Sequence, residues 1–243
     1  MCIRDSLWNG KDPILKERLF GLGGKEGNHG EDVKELYFYL DSSPTHSYMK
    51  MLYKYPQQTF PYDQLTAENA RRGRKDPEFE LDDTGVFDED RYFDCLVEYA
   101  KAEQDHICMQ ITITNRGPES ASLSLIPTLW FRNTWSWGYP EGPMGETPQK
   151  PNLHRVQKEG KDIIEAFHPK IGTYYLTSEQ DSEFLFTENN TNTDRIKNLG
   201  IASSEYSKDA FHRYLIDGEK DAVNPKEEGT NCLLYTSPSP RDS

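Results

Sequence analysis

The chain has 243 residues, of which 35% are hydrophobic and 12% aromatic, and its formal net charge is −13. A balance this acidic argues against nucleic acids and anionic membranes as partners, because both require a basic surface. No apolar run approaches the roughly 18 residues that a membrane-spanning helix needs. The length suits one large domain, and the 14 Tyr and 11 Phe favour β structure with half-buried faces.

The two ends of the chain do not read as protein sequence. Residues 1–6 can be back-translated into DNA whose reverse complement encodes the Cys-Leu-Leu-Tyr of residues 232–235. This inverted element resembles a transposase sequencing adaptor read as coding sequence, and two unrelated disordered tails are the alternative. We therefore expect residues 1–6 and 232–243 to pack against nothing. Residues 7–231 would then be a gene fragment that forms one β-sandwich domain.

Alternation of apolar and polar residues predicts nine strands, at 36–41, 48–55, 92–101, 106–114, 121–131, 162–167, 173–177, 183–187 and 211–217. The pattern is clearest at 106–114, where every second side chain is Ile or Met. Segments 92–101, 106–114 and 121–131 are predicted to form an antiparallel meander. Its buried residues should include Ile107, Ile111, Leu125 and Leu129.

Two short helices are predicted, at 63–72 and 193–199, and the Pro-rich and Gly-rich stretch 137–152 is predicted to be a long loop. Many strands with few helices indicate an all-β fold, an antiparallel β-sandwich.

The sequence does not match the residue types and spacings of several common binding and catalytic motifs. The Gly-rich run at 21–26 lacks the first Gly and the Ser or Thr of a phosphate-binding loop, and the acidic residues at 82–90 lack the calcium-loop spacing. The six His have no zinc-type spacing, and no Gly-x-Ser-x-Gly is present. The sequence therefore predicts no metal and no cofactor. Cys95 and Cys108 favour buried free thiols over a disulfide, and Asn189-Asn190-Thr191 fits the glycosylation pattern, which often arises by chance.

Two stretches carry more polar and aromatic side chains than strand packing requires. The first, 26–32, offers Asn28, His29, Glu31 and Asp32, and the second, 131–138, offers Arg132, Trp135 and Trp137. Indole rings stack on sugars while amides, carboxylates and guanidinium groups bind hydroxyls, so both stretches suit a carbohydrate site. Trp and Arg are also enriched at interfaces, and in a truncated chain we favour an interface with another domain. Both stretches are expected at one end of the sandwich, where that domain would dock.

Long runs of residues carry a resemblance to a known family. They lie at 7–22, 26–41, 44–50, 84–94 and 130–138, and the similarity extends over essentially all of 7–230. The chain resembles the N-terminal region of bacterial glucosidases related to glycoside hydrolase family 63, a group that includes mannosylglycerate hydrolase-like enzymes.

The resemblance implies an N-terminal β-sandwich of the supersandwich type, ahead of an (α/α)6 barrel. In such enzymes the barrel carries the acid and base carboxylates for inverting hydrolysis of α-glucosidic or related bonds. No barrel sequence is present, so no catalytic residue is carried over and this fragment is expected to be inactive. The implied partners are the barrel and the carbohydrate substrate of the full-length protein, which is expected in the cytoplasm, although a signal peptide would lie in the missing N-terminal sequence.

The alternative function is a stand-alone carbohydrate-binding or lectin-like β-sandwich module. The gene sequence downstream of residue 231 would distinguish the two functions. A helical stretch of several hundred residues would support the enzyme, and a stop codon or further sandwiches would support the binding module.

Overall fold

The computed structural model describes residues 2–17, 19–137, 149–179, 182–196 and 204–236. These residues form two compact units. The split unit comprises residues 2–8 and 124–236, so that it draws on both ends of the chain, and the meander unit comprises residues 9–123. The fold is all-β with antiparallel sheets, as predicted.

The strands, in chain order, are β1 (Cys2–Arg4), β2 (Leu7–Trp8), β3 (Gly21–Leu22), β4 (Asp32–Val33), β5 (Leu36–Ser42), β6 (Tyr48–Pro56), β7 (Tyr92–Glu103), β8 (His106–Asn115), β9 (Ser124–Leu125), β10 (Thr128–Trp130), β11 (Asn152–Lys158), β12 (Lys161–His168), β13 (Gly172–Leu176), β14 (Glu183–Thr187), β15 (Glu228–Gly229) and β16 (Asn231–Tyr235). The α-helices of the described residues are α1 (Tyr62–Arg71) and α2 (Ala210–Leu215). Short 3-10 turns cover Asp82–Thr84, Trp135–Trp137 and Thr193–Arg195. None of the described helices is long and apolar enough to cross a membrane.

The meander unit is built on the sheet β5-β6-β7-β8, in which consecutive strands pair antiparallel. The predicted alternation of β7 is confirmed, because Phe93, Cys95 and Val97 lie on one face and are each no more than 1% exposed. The opposite face carries cross-strand ion pairs, such as Lys54 Nζ to Asp94 Oδ1 at 2.8 Å. Beside the sheet, α1 closes a second apolar cluster, made of Phe60, Leu65, Phe79, Leu81 and Val86.

The split unit is itself a two-sheet sandwich. One sheet has the strand order β1-β10-β16-β14 and the other has β13-β12-β11-β15. Side chains from both sheets meet in a single apolar core, which contains Leu129, Phe131, Leu153, Ile164, Ala166, Phe184, Phe186, Cys232 and Leu234. A sandwich of this kind buries one face of each sheet.

The third strand of the predicted meander is placed wrongly by the sequence pattern. Strands β7 and β8 are adjacent and antiparallel, but the segment 121–131 forms β9 and β10, which pair with β2, β1 and β16 in the split unit. Of the four residues expected in the core, only Leu129 is buried, and Ile107 is 49% exposed. Ile111 and Leu125 are half-buried. Ile107 and Ile111 lie on β8, the outer strand of its sheet, and no strand among the described residues pairs with its other side.

Three further elements differ from the sequence prediction. The segment 211–217 forms most of α2 and not a strand, because Ala210, Phe211 and Tyr214 share a buried helical face. In the predicted helix 193–199, the described residues form only the 3-10 turn Thr193–Arg195, and 197–199 lie outside the described residues. Strand β11 was not predicted, and its first residue, Asn152, is the last residue of the predicted loop 137–152.

The described residues at the chain ends are packed, which makes the expectation of unpacked ends wrong for them. Strand β1 pairs with β10, and β16 lies between β10 and β14. Cys232, Leu233 and Leu234 are all buried. An apolar run with high β propensity is suited to a central strand, which is covered on both edges and one face.

Cys95, Cys108 and Cys232 form no disulfide. Cys95 is buried, as expected, whereas Cys108 is exposed on the outer strand β8. The buried Cys232 lies in the core of the split unit.

Candidate functional site

The first predicted site segment forms the tip of the β3–β4 hairpin. Two glycines fix its path, since a Cβ on Gly27 would lie 2.1 Å from the Gly30 carbonyl oxygen and Gly30 has a φ of +117°. The turn leaves His29 and Glu31 exposed and buries Asn28, which is 7% exposed. The side-chain amide of Asn28 has no hydrogen-bond partner among the described residues. A water or ligand that reached it would find a donor in Nδ2 and an acceptor in Oδ1.

Asp32, at the base of the same hairpin, belongs to a cluster of four charged groups. The ammonium of Lys34 lies 2.7 Å from Asp32 Oδ2, 3.0 Å from Glu80 Oε1 and 3.1 Å from Glu78 Oε1. The Lys34 side chain is fully buried, whereas Glu80 is half exposed. The cluster therefore holds one cation among three carboxylates and has an excess of negative charge.

The charges of this cluster stabilise one another. The hydrogen bond from Lys34 lowers the pKa of the Asp32 carboxyl. Burial opposes the charge of Lys34, but its hydrogen bonds to Asp32, Glu80 and Glu78 outweigh that effect and raise its pKa. Carboxylate oxygens of these three acids lie within 4.8 Å of one another, which is a spacing that suits a metal ion. The Lys34 ammonium already lies among them and supplies the positive charge.

A polar cleft of about 560 Å³ adjoins this cluster and shares Glu78 with it. Charged side chains dominate its lining, which consists of Arg71, Arg72, Asp76, Pro77, Glu78 and Asp83. Arg72 is held in place, since its Nη1 donates to the Pro77 carbonyl at 2.7 Å and its Nε to Glu68 at 3.0 Å. His29 Nε2 lies 3.4 Å from the Asp76 carbonyl oxygen, which places the hairpin tip beside the segment that lines the cleft.

A second buried polar network in the meander unit was not predicted from the sequence. Lys16 Nζ donates to Glu35 Oε1 at 2.9 Å and to the Tyr62 hydroxyl at 2.7 Å, and it lies 3.7 Å from the centre of the Phe60 ring. Glu35 also accepts hydrogen bonds from the Phe20 amide at 2.8 Å and from the Tyr53 hydroxyl. These partners lie 15 to 46 residues apart in the chain, so no short sequence motif contains them.

Burial lowers the pKa of both lysines, but the net shifts have opposite directions because the carboxylate partners differ. Burial lowers the pKa of Lys16, and the carboxylates of Glu35 and Asp12 compensate only in part. Burial, followed by the nearby Glu35 carboxylate, raises the pKa of Tyr53. Each carboxylate oxygen of Glu35 faces protein donors, so this network has the character of a structural core.

The second predicted site segment follows β10 in the split unit. Arg132 is exposed, and Trp135 is half-buried against the apolar core. Asn133 holds the turn together, because its Oδ1 accepts from the Ser136 amide at 3.2 Å and its Nδ2 donates to the Asn189 carbonyl at 2.9 Å. Trp137 closes the 3-10 turn, and its side chain lies outside the described part of the structure.

The glycosylation pattern at Asn189 coincides with a structural amide. Asn189 Nδ2 donates to the Phe131 carbonyl at 2.8 Å, and the Asn189 backbone amide donates to Thr230 Oγ1 at the same distance. Glycosylation would replace one of the two hydrogens on this part-buried nitrogen, which leaves a single N–H for the bond to Phe131. The triplet is therefore explained by packing.

The outer face of the β13-β12-β11-β15 sheet carries an aromatic and polar surface. The register places Asn152, Phe167 and Thr173 in one row and His154, Glu165 and Tyr175 in the next. Phe167 and Tyr175 are 46% and 50% exposed, and His154 Nε2 lies 3.6 Å from Glu165 Oε1. Rings on neighbouring strands in adjacent rows are diagonal neighbours, about 7–8 Å apart.

The predicted site residues thus fall into two separate groups. Asn28, His29, Glu31 and Asp32 share one hairpin of the meander unit, and Arg132, Trp135 and Trp137 share one turn of the split unit. The charged groups that surround Asp32 come from residues outside the segment, namely Lys34, Glu78 and Glu80. Their contribution is visible only once residues 78–80 are brought against the hairpin.

One comparison with known proteins gave a match. The chain is 43% identical to the uncharacterized protein YMR196W of Saccharomyces cerevisiae over 267 aligned residues, which cover 97% of this chain and 24% of that protein. The chain therefore spans about a quarter of the length of the curated relative it matches. No protein-family model and no solved structure matches the chain.

Proposed function

We propose that this chain is the non-catalytic N-terminal β-sandwich region of a glycoside hydrolase similar to the family 63 glucosidases, and that the catalytic barrel lies elsewhere in the parent polypeptide. The observation that carries the placement in a longer polypeptide is the match to a much longer relative, which runs along 97% of this chain and only 24% of that protein. The glycoside hydrolase part of the proposal rests on the sequence resemblance. The two-sheet architecture of the split unit is compatible with the fold that the resemblance implies. A cytoplasmic location is part of the proposal.

The carboxylates of the two charged networks in the meander unit are not arranged for inverting hydrolysis. Inverting hydrolysis needs one protonated acid and one carboxylate base, roughly 6.5–9.5 Å apart with space between them for substrate and water. The cluster of Asp32, Glu78 and Glu80 instead surrounds a lysine, and the pKa of Asp32 is lowered, so that this acid is ionised when a proton donor is needed. The buried Glu35 is surrounded by protein donors and offers no access to a sugar.

The proposal is tested with the intact yeast relative and with this chain in parallel. We expect full-length YMR196W to hydrolyse an aryl α-glucoside or an α-linked disaccharide with inversion of the anomeric configuration, followed by NMR. This chain alone should show no turnover above a mock preparation. The proposal fails if the intact relative hydrolyses no α-glucosidic bond, or if this chain alone is active.

The outer face of the split unit favours a second candidate, a carbohydrate-binding module. Exposed Phe167 and Tyr175 offer apolar rings to the C–H faces of a sugar, and His154, Glu165 and Asn152 lie in the same two rows as hydrogen-bonding groups. Lys158 Nζ lies 4.5 Å from the centre of the Tyr175 ring, which steadies that ring.

This candidate is separated from the first by a binding titration. A panel of α-linked oligosaccharides would be titrated into this chain and followed by calorimetry, with Tyr175→Ala as the test variant and Phe38→Ala, on the meander unit, as the control. Binding that Tyr175→Ala weakens at least tenfold, with Phe38→Ala unchanged, would support a binding module. Absence of binding to every sugar would remove this candidate and leave the first intact.

A further inference from the structure

Strand β8 forms one edge of the meander sheet. It pairs with β7 from Phe93↔Asn115 to Glu103↔His106, and no strand among the described residues pairs with its other side. The strand is ten residues long. An edge of this length presents a row of unpaired backbone donors and acceptors, which is a template for another strand.

The sequence of β8 lacks the features by which proteins protect such an edge. His106–Asn115 contains no Asp, Glu, Lys, Arg, Pro or Gly, in a chain that is 28% charged. The opposite edge of the same sheet, β5, is shorter, carries Asp41 and has an irregular register between Tyr39 and Asp41. The outer strands of the two split-unit sheets are at most five residues long. Among the described edges, β8 is therefore the long and unprotected one.

One face of β8 is also apolar and incompletely covered. Ile107 is 49% exposed, while Met109, Ile111 and Ile113 are half-buried. The register continues this row across the sheet, from Ile111 through Val97 and Met51 to Tyr39, which is 79% exposed. The other face of β8 carries the uncharged polar side chains of Gln110, Thr112 and Thr114.

We propose that β8 is a strand-addition site and that its occupant is β8 of a second copy of this chain, paired antiparallel about Gln110. In that register Ile107 faces Ile113 and Met109 faces Ile111 on one side of the sheet, while Cys108 faces Thr112 on the other. The pairing matches apolar with apolar and polar with polar, as a two-fold interface requires. It joins two four-stranded sheets into one continuous sheet of eight strands.

The charge of the chain restricts where two copies can meet, and it favours this edge over charged surfaces. Each copy carries a net charge of −13, so most surfaces of two copies repel each other. An uncharged ten-residue edge lets two backbones approach without placing like charges opposite one another. Residual repulsion between the rest of the two chains should weaken as salt is added, so we expect the dimer to tighten with ionic strength. This inference does not depend on the proposed function.

The test is the mass of the chain in solution, measured by light scattering over a concentration series. We expect a concentration-dependent dimer, and we expect Gln110→Lys to abolish it, because the substitution places two ammonium groups opposite each other on the two-fold axis. Gln110 is exposed, so circular dichroism should show an unchanged fold. Gln157→Lys, on an exposed position of β11, is the matched control and should still dimerise.

Charge complementation identifies the register. Copies with Gln110→Lys and copies with Gln110→Glu should each be monomeric, and their equimolar mixture should recover a dimer. The proposal is overturned if the chain is monomeric at every concentration, if Gln110→Lys dimerises as the unmodified chain does, or if the mixture stays monomeric. Uptake of a segment of a longer parent polypeptide at this edge, by a chain that does not self-associate, would equally overturn it.

Discussion

The two units bury different chemistry. Every buried charged residue of the described structure lies in the meander unit, and these are Asp12, Lys16, Lys34, Glu35 and Asp94. The buried polar residues of the split unit are uncharged, and its sandwich core is apolar. Apolar burial needs only shape and area, whereas a buried charge is stable only beside a partner. The split unit should therefore respond to lost packing, and the meander unit to lost partners and to pH.

The largest effect is expected from removal of β16. Deletion of residues 232–243 takes away the strand that lies between β10 and β14, together with the buried side chains of Cys232, Leu233 and Leu234. We expect the split unit to lose its cooperative structure and the meander unit to keep its own. Hydrogen exchange, followed peptide by peptide, distinguishes the two.

A single substitution in β16 should destabilise the split unit less than the deletion does. Leu234→Ala should destabilise the split unit by about 2–5 kcal/mol, as truncation of a buried leucine does. For the deletion of residues 232–243, the contrary outcome is a melting temperature equal to that of the full chain, with the amides of the split unit still protected from exchange. That result would show that the end of the chain is dispensable.

The next largest effect is expected in the meander unit. Glu35→Ala removes the carboxylate that accepts from Lys16, Phe20 and Tyr53, and it leaves the buried Lys16 ammonium without its ion-pair partner. Loss of one partner of a buried pair costs about 3–5 kcal/mol, which urea denaturation would measure. Glu31→Ala, at an exposed position in the same unit, should change stability by less than about 0.5 kcal/mol. Equal effects of the two substitutions would contradict the buried-pair argument.

Acid should affect the two units unequally. Burial works to raise the pKa of the Asp94 carboxyl, but hydrogen bonds from Lys54 and Arg116 outweigh it and lower that pKa from its usual 3.8. The stabilisation is therefore present above pH 3.8 and is lost as the pH falls through the lower pKa of the folded state.

The measurement is the free energy of unfolding of the unmodified chain minus that of Asp94→Asn, followed from neutral pH downwards. We expect this difference to shrink in acid. A difference that stays constant with pH would mean that the ion pairs of Asp94 contribute no stability.

The contrast between the units also explains which parts of the fold were predictable. Strands β5 to β8 of the meander unit and β12 to β14 of the split unit lie within two residues of their predicted ends, because short runs of strand-forming residues between turn signals are visible locally. The split unit depends on contacts between distant segments, such as Ile3 with Leu129 and Leu129 with Cys232, and no local pattern encodes these. Pattern alone also cannot separate a short helix from a strand, which is why α2 was missed.

The candidate site was predictable to the same limited degree. The polar hairpin at 26–32 stood out by composition, but its chemistry depends on Lys34 and on Glu80, 46 residues further along the chain. A lysine in a strand-like segment normally indicates an exposed position. Here three carboxylates make its burial possible, and no spacing rule connects them.

The smallest expected effect tests whether Lys34 occupies a cation position. Lys34→Met keeps much of the side-chain volume and removes the ammonium, which leaves three carboxylates with oxygens within 4.8 Å of one another. We expect this variant to be less stable than the unmodified chain, and to regain about 1.4 kcal/mol when calcium is present at ten times its dissociation constant. The unmodified chain should show no such gain, because its own ammonium repels the ion.

Lys54→Met is the matched control, since Lys54 pairs with Asp94 alone and one carboxylate does not hold calcium. Thermal melting with calcium and with a chelator measures the effect. If Lys34→Met melts at the same temperature under both conditions, the carboxylates have moved apart, and Lys34 then organises the cluster and does not stand in for a metal.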